Sequence, residues 1–465
     1  MAKIHKLKKE NSPFYPLTIK QAVFDPITKE NLNDELAKMV QSMITGGVGW
    51  YGIEWDENVA NSACTRIGTM DLHRTLPIQN RQRRCLLNDD GTVNYYLNNN
   101  DSTLLDNGAP AKLDGSMGQL MVEIPEHYCR FERVGTKWRA MISEFRFPGF
   151  HYLPKAYRSA YEATVQRSTN KLSSVKNMDV DYRGGNNNAL LDGTSSTFLG
   201  RPASSISGTN FALFAKNRGT RWCMDVYHVK KTMDWLYYIE YANFNSQLPF
   251  NPVLTAEGYK QGGLGDGVTT LNSTKWNDFN GRYGFSECGF SNMLGNYTGV
   301  VELDMPVEYD ESVLTVEHPS YRGIEHPFGH IWKWTDGIKV NIQADDAGGQ
   351  SQLYVCEDPL KFQHSNYIGY DMRGLLPRAN GYASKMLMGE FGELIPRVAD
   401  GGSTTYFADY FYTSIPSSGE SQRGVRFGGS ADNGALAGLA CAYTANVLTH
   451  ARTHVGSRLC FIPEN

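Results

Sequence analysis

The stretch Gly424–Phe461, GVRFGGSADNGALAGLACAYTANVLTHARTHVGSRLCF, is the one around which the rest of the chain can be read. Small residues at Gly434, Ala435, Ala437, Gly438 and Ala440 are interleaved with Leu436, Cys441, Tyr443, His450, Arg452 and His454, which share neither size, polarity nor charge. A core strand would keep one face apolar at period 2 and a core helix at period 3.6, and neither period fits. The stretch therefore does not read as an ordinary core strand or helix. A Gly401-Gly402-Ser403 turn and a Tyr-Phe-rich strand, YFADYFYTS from Tyr406, lead into it.

Working back, YRGIEHPFGHIWKWTDGIKV from Tyr321 carries Trp332 and Trp334 at alternate positions. This predicts a central strand that buries one ring and lays the other against the neighbouring face. His326 and His330 are four residues apart, but Pro327 and Gly329 between them forbid the helix that would aim both at one metal, so no metal site is expected there. GGLGDGVTT from Gly262 lacks the spacing of a phosphate loop and reads as a turn. In MDVDYRGGNNNALL, Asp179 and Asp181 start like a calcium loop, but Arg183 and Leu190 stand where ligands belong, leaving a polar surface loop.

Two helices are expected. One covers Thr209–Asn217, with Ser207 before it and Gly219 after it, and the other carries Val229, Met233, Leu236 and Ile239 on one face. Asp90-Gly91, between Leu86-Leu87 and Val93–Tyr96, predicts a hairpin. Residues 1–47 stand apart: a basic tail, a Pro-punctuated extended segment, and a short helix capped by Asn31 with Leu32, Leu36, Met39 or Val40, and Met43 on one stripe.

Composition excludes several classes. A hydrophobic content of 41% and a charged content of 20% exclude a disordered chain. A net charge of −4 gives no basic field for nucleic acid. No apolar run reaches the ~20 residues needed to cross a bilayer, so no membrane insertion is expected. The N-terminus lacks the apolar segment of a secretory signal, so synthesis in a cytoplasm without export by that route is expected. The eight cysteines show no C-x-x-C pair and read as buried free thiols.

Gly329, Trp332 and Trp334 resemble the Gly-Asn-Val-Trp-Glu-Trp signature of the C-type-lectin-like fold shared by formylglycine-generating enzymes and the variable proteins of diversity-generating retroelements. His330 and Lys333 stand in place of its Asn and Glu. The terminal stretch resembles the variable region of those proteins, of which phage tropism determinants are the known type. Their hypermutated Asn codons cannot become Lys, Glu, Gln, Met or Trp, and none of these occurs from Gly428 through Ser457. The resemblance runs from about Tyr51 to the end.

It implies an α+β class: residues 48–465 as a C-type-lectin-like domain with extended β insertions, and residues 1–47 as an N-terminal anchoring or oligomerisation segment. It implies a ligand-binding set at Ser430, Asp432, Leu436, Cys441, Tyr443, Ala445, His450, Arg452 and His454, within a variable stretch 428–457. Gly429, Gly434, Ala437, Gly438, Gly456, Ser457 and Arg458 would be its scaffold. The expected function is host recognition by a phage tail or head fibre, as a homotrimer on a virion, toward a bacterial cell-surface protein or glycan, with residues 1–47 joined to other virion proteins.

A non-catalytic decoration protein acting as a weak adhesin is the alternative. A formylglycine-generating-enzyme-like oxidase would use a cysteine pair near the C-terminal end, where Cys441 and Cys460 lie. The two are far apart in sequence with no neighbouring Lys to activate them, so no catalytic residues and no cofactor are expected. Trp276-Asn277-Asp278 matches one lectin calcium motif but has no Glu-Pro-Asn or Gln-Pro-Asp partner, so no calcium is expected.

Overall fold

The computed structural model describes residues 8–9, 12–13, 48–185, 199–269, 286–306 and 313–464. Apart from Lys8–Lys9 pairing with Ser12–Pro13, the expected anchoring segment lies outside them, and so does Trp276-Asn277-Asp278. The expected α+β class is not what forms. Of the described residues 36% are strand and 13% helix, so the fold is mostly β, built largely from antiparallel sheets.

A six-stranded sheet contains β1 (Arg83–Leu87), β2 (Val93–Tyr96), β3 (Gln119–Ile124), β4 (Ala156–Ser159) and β5 (Trp222–Met224). The Asp90-Gly91 hairpin forms as expected and joins β1 to β2, with Gly91 at φ 85°. A second sheet is built on β6 (Trp332–Gln343), with β7 (Ser351–Val355), β8 (Asp371–Leu375), β9 (Gly381–Tyr382), β10 (Tyr410–Tyr412), β11 (Glu420–Phe427) and β12 (Ala442–Tyr443). Its order is β8-β7-β6-β11-β12-β10-β9, and β13 (Val455–Ser457) lies parallel on β6. The last strand, β14 (Leu459–Phe461), returns to the first sheet and sits between β5 and β4. A five-stranded sheet centred on Lys137–Ser143 and Tyr51–Asp56 covers the other side of the main core.

Both helices form. α1 (Gly208–Lys216) is capped by the Ser207 hydroxyl, which accepts from the Asn210 N–H at 3.2 Å. α2 (Tyr227–Tyr241) buries the expected Val229, Met233, Leu236 and Ile239, and also Lys230, Lys231, Asp234 and Glu240, because sheets pack around most of its circumference. The Lys230 ammonium accordingly pairs with Asp234 one turn on. Among the described residues no helix is long and apolar enough to cross a membrane.

β6 is buried on both faces although its sequence alternates, with Trp332, Trp334, Ile338, Val340 and Ile342 set against Lys333, Thr335, Lys339 and Asn341. Trp332 and Trp334, two apart, lie on the same face and in one core with Phe211, Trp222, Val455 and Phe461. The expected division of the two rings between faces does not hold. Gly208 and Gly424 are small because a Cβ at either would come within 3.1 or 2.7 Å of the Trp334 ring. Lys333 and Thr335 occupy the opposite face, and Gly337 at φ 76° accompanies the bulge that shifts the β6–β11 register.

His73 and His127 are buried, and burial pushes both imidazoles down to about 4. The unfolded chain takes up these protons near pH 6.5. Their stabilisation is therefore complete above that pH and is lost as pH falls towards 4. His127→Gln should reduce the drop in melting temperature between pH 7 and pH 5 relative to the natural protein. An equal drop in both would remove His127 from the acid response.

Candidate functional site

The terminal stretch leaves β11 through Gly428 and Gly429, at φ 97° and 81°. It makes one helical turn at Gly434–Leu436, joins β12 alongside β10, and loops back to β13. The expected scaffold residues are tightly packed. A Cβ on Gly429 would stand 2.7 Å from that of Ala437, one on Gly438 would stand 1.7 Å from Asp409 Oδ1, and one on Gly456 would stand 2.5 Å from Ile331 Cδ1. The Ser457 hydroxyl donates to the Trp334 carbonyl at 2.7 Å. Arg458 is fully buried, and its guanidinium donates to the carbonyls of Ser159, Glu325 and His326. Gly434 differs: nothing lies nearer than 3.9 Å, and its φ of 53° is what calls for glycine.

Of the expected ligand-binding set, Asp432 and Arg452 are exposed, and Leu436, Tyr443, Ala445, His450 and His454 are half-buried. Ser430 and Cys441 are buried, so their expected projection into solvent is corrected. Ser430 is held down by its own turn, where its hydroxyl bonds Asp432 Oδ1 at 2.6 Å and Asn433 Oδ1 at 2.9 Å. Cys441 precedes β12 and packs in the Trp332 core, and burial pushes its thiol well up. Cys460 is also buried with its thiol raised, the reverse of what a nucleophilic pair requires.

Sequence reasoning missed the row on which this surface rests. Cross-strand register places Tyr382 opposite Tyr410 and Tyr412 opposite Tyr443, with Arg426 next on β11 and Trp334 beyond it. The ring centroids are 5.0 Å apart for Tyr382–Tyr410, 4.7 Å for Tyr410–Tyr412 and 5.4 Å for Tyr412–Tyr443. The Arg426 guanidinium lies 4.1 Å from the Tyr443 centroid and donates to Asn446 Oδ1 at 2.7 Å. The period-2 pattern Tyr410-Phe411-Tyr412 was the available signal: Phe411 is fully buried and both tyrosines are half-buried.

Burial, Arg426 and Arg452 lower the His450 imidazole. Burial first, then Arg426, push His454 down to about 4. His454 is therefore uncharged at neutral pH, and the surface presents the Arg452 cation and the Asp432 anion among polar and aromatic groups.

Behind the stretch, His326 and His330 do converge, contrary to the expectation from Pro327 and Gly329. No helix is needed, because both residues sit in left-handed backbone, at φ 47° and 59°, which turns the rings to a centroid distance of 4.5 Å. Glu162, just past β4, faces them. His330 Nδ1 bonds Glu162 Oε2, His326 Nδ1 is 3.6 Å from the same oxygen, and Lys333 Nζ is 2.9 Å from Oε1. All four residues are buried. Burial alone would raise the Glu162 carboxyl, but His330, Lys333 and hydrogen bonds from both histidines hold it well below the usual range. Burial pushes His330 down to about 4 and Lys333 to about 8. At neutral pH the pair Glu162–Lys333 balances its own charge beside an uncharged His330.

Set beside known proteins, the chain matches no family model and no curated relative.

Proposed function

We propose that the protein is a receptor-binding protein whose recognition surface is formed by Asp432, Leu436, Tyr443, Ala445, His450, Arg452 and His454. The observation that carries this reading is the contrast within one stretch. Gly429, Gly438 and Gly456 are packed so closely that a single methyl group would collide, while unrelated side chains emerge between them. A rigid backbone bearing interchangeable side chains loses little conformational entropy on binding, which suits a paratope. Tyr443 and Arg452 are its anchors, one a large ring fixed on Arg426 and the other an exposed fork of donors.

The resemblance to retroelement variable proteins extends the reading to a phage tail or head fibre, assembled as a homotrimer and attached to other virion proteins through residues 1–47. Its partner would be a bacterial cell-surface protein or glycan, and several copies would raise a weak single-site affinity by effective concentration. The two raised, buried thiols favour this non-catalytic reading over an oxidase.

The test compares the natural protein with Arg452→Ala and with a variant in which Asp432, Leu436, Tyr443, His450, Arg452 and His454 become Ser or Ala. Arg452→Ala should weaken binding to host cells at least about tenfold without moving the melting temperature. The multiple variant should abolish binding while remaining folded. Equal binding by all three proteins would place recognition elsewhere.

A further inference from the structure

We propose that Glu162, His326 and His330 form a buried site for a single divalent transition-metal ion of the zinc class. The three ligand atoms, one carboxylate oxygen and one ring nitrogen from each histidine, lie within 4.8 Å of one another. A tetrahedral ion bound at about 2.0–2.2 Å sets its ligands roughly 3.3 Å apart, so small side-chain adjustments suffice. Three protein ligands leave a fourth position for water. Two imidazoles and one carboxylate select zinc, cobalt or nickel over calcium and magnesium, which take mainly oxygen.

The surroundings are those of a supported site. His326 Nε2 is 2.6 Å from His318 Nδ1, and His318 Nε2 is 3.4 Å from the Ser286 hydroxyl. The protons along this chain can run either way. When His326 Nε2–H donates to His318 Nδ1 and His318 Nε2–H donates to Ser286, the His326 Nδ1 lone pair points towards Glu162, as an ion between them requires. Lys333 Nζ, 2.9 Å from Glu162 Oε1 and 2.7 Å from the Gly329 carbonyl, keeps Oε1 engaged and leaves Oε2 to the histidines.

The position gives the ion a structural role. The Gly329 N–H donates to the Gly428 carbonyl at 2.8 Å, and the Ala431 N–H to the His330 carbonyl at 3.0 Å. At the far end of the recognition stretch, the Trp332 N–H donates to the His454 carbonyl at 2.9 Å, and Arg458 donates to the His326 carbonyl at 2.6 Å. Both ends of the stretch hang on the His326–His330 turn, and an ion there fixes that turn from behind.

The experiment uses full-length, untagged protein. Elemental analysis of purified protein should find about one zinc-class ion per chain. After chelation, Co²⁺ should bind with the visible absorption of a tetrahedral nitrogen and oxygen site, and Zn²⁺ should raise the melting temperature. Glu162→Gln and His326→Gln should each weaken Co²⁺ binding at least tenfold. His318→Asn, which removes only an outer partner, should weaken it about 10–100-fold. Absence of metal, of the Co²⁺ band and of any Zn²⁺ effect on the natural protein overturns the proposal, and that result needs no variant to fold. Undiminished Co²⁺ binding in folded Glu162→Gln places the ion elsewhere and overturns it equally.

Discussion

Arg158→Ala should destabilise the protein by about 3–5 kcal/mol, read as a fall in the midpoint of urea unfolding. Arg158 and Asp225 form a two-point pair, Nε to Oδ1 at 2.8 Å and Nη2 to Oδ2 at 2.7 Å, with side chains 3% and 0% exposed. Removing the guanidinium leaves a carboxylate in the core with no water to solvate it. The Asp225 charge holds the Arg158 guanidinium above its ordinary range although burial alone would lower it. The pair straddles β14, since Arg158 on β4 is registered with Cys460 and Asp225 follows β5 on its other side. Arg158→Met combined with Asp225→Leu should recover much of the loss, because an apolar pair of similar volume carries no desolvation cost. A single variant as stable as the natural protein would show that water reaches Asp225.

Gly438→Ala should destabilise by about 1–3 kcal/mol and also weaken the receptor binding proposed above. Its methyl group would overlap the buried Asp409 carboxylate, which cannot retreat because Oδ2 accepts from the Ala440 N–H at 2.7 Å. The displacement would pass directly to Cys441–Tyr443 and so to the aromatic row. Gly434→Asn supplies the comparison. That position has open space, and asparagine tolerates the left-handed backbone it needs, so both stability and binding should be nearly retained. Equal losses at the two positions would mean that the small residues do not fix the surface by packing.

The parts legible in the sequence were those governed by local chemistry. The Asp90-Gly91 hairpin, the Ser207-capped helix and the small-residue spacing of 428–457 each follow from a few adjacent residues. The mostly-β class was obscured because several strands are only two or three residues long, too short for alternation to show. The row from Tyr382 to Arg426 joins four separate segments, two of them through the parallel pairing of β10 with β12, which no local pattern announces. The cluster brings Glu162 to His330, 168 positions away, through histidine backbone of a kind that ordinarily favours glycine. Ser430 and Cys441 were misplaced because their exposure was carried over from the resemblance, whereas each is drawn in by a local turn, closed by the Asn433 N–H to the Ser430 carbonyl at 3.1 Å and the Cys441 N–H to the Gly438 carbonyl at 3.3 Å.

β14 lies inside the sheet, between β4 and β5, and it follows the stretch 428–457 in the chain. A replacement at an exposed position such as Asp432 or Arg452 still delivers Leu459–Phe461 to that slot, whereas a shift of reading frame within the same codons does not. The second kind of error would leave β4 and β5 with bare edges and Trp222 without Phe461, whose ring centroid lies 5.0 Å away. Closure of the first sheet therefore depends on the reading frame of the preceding segment and not on its exposed side chains.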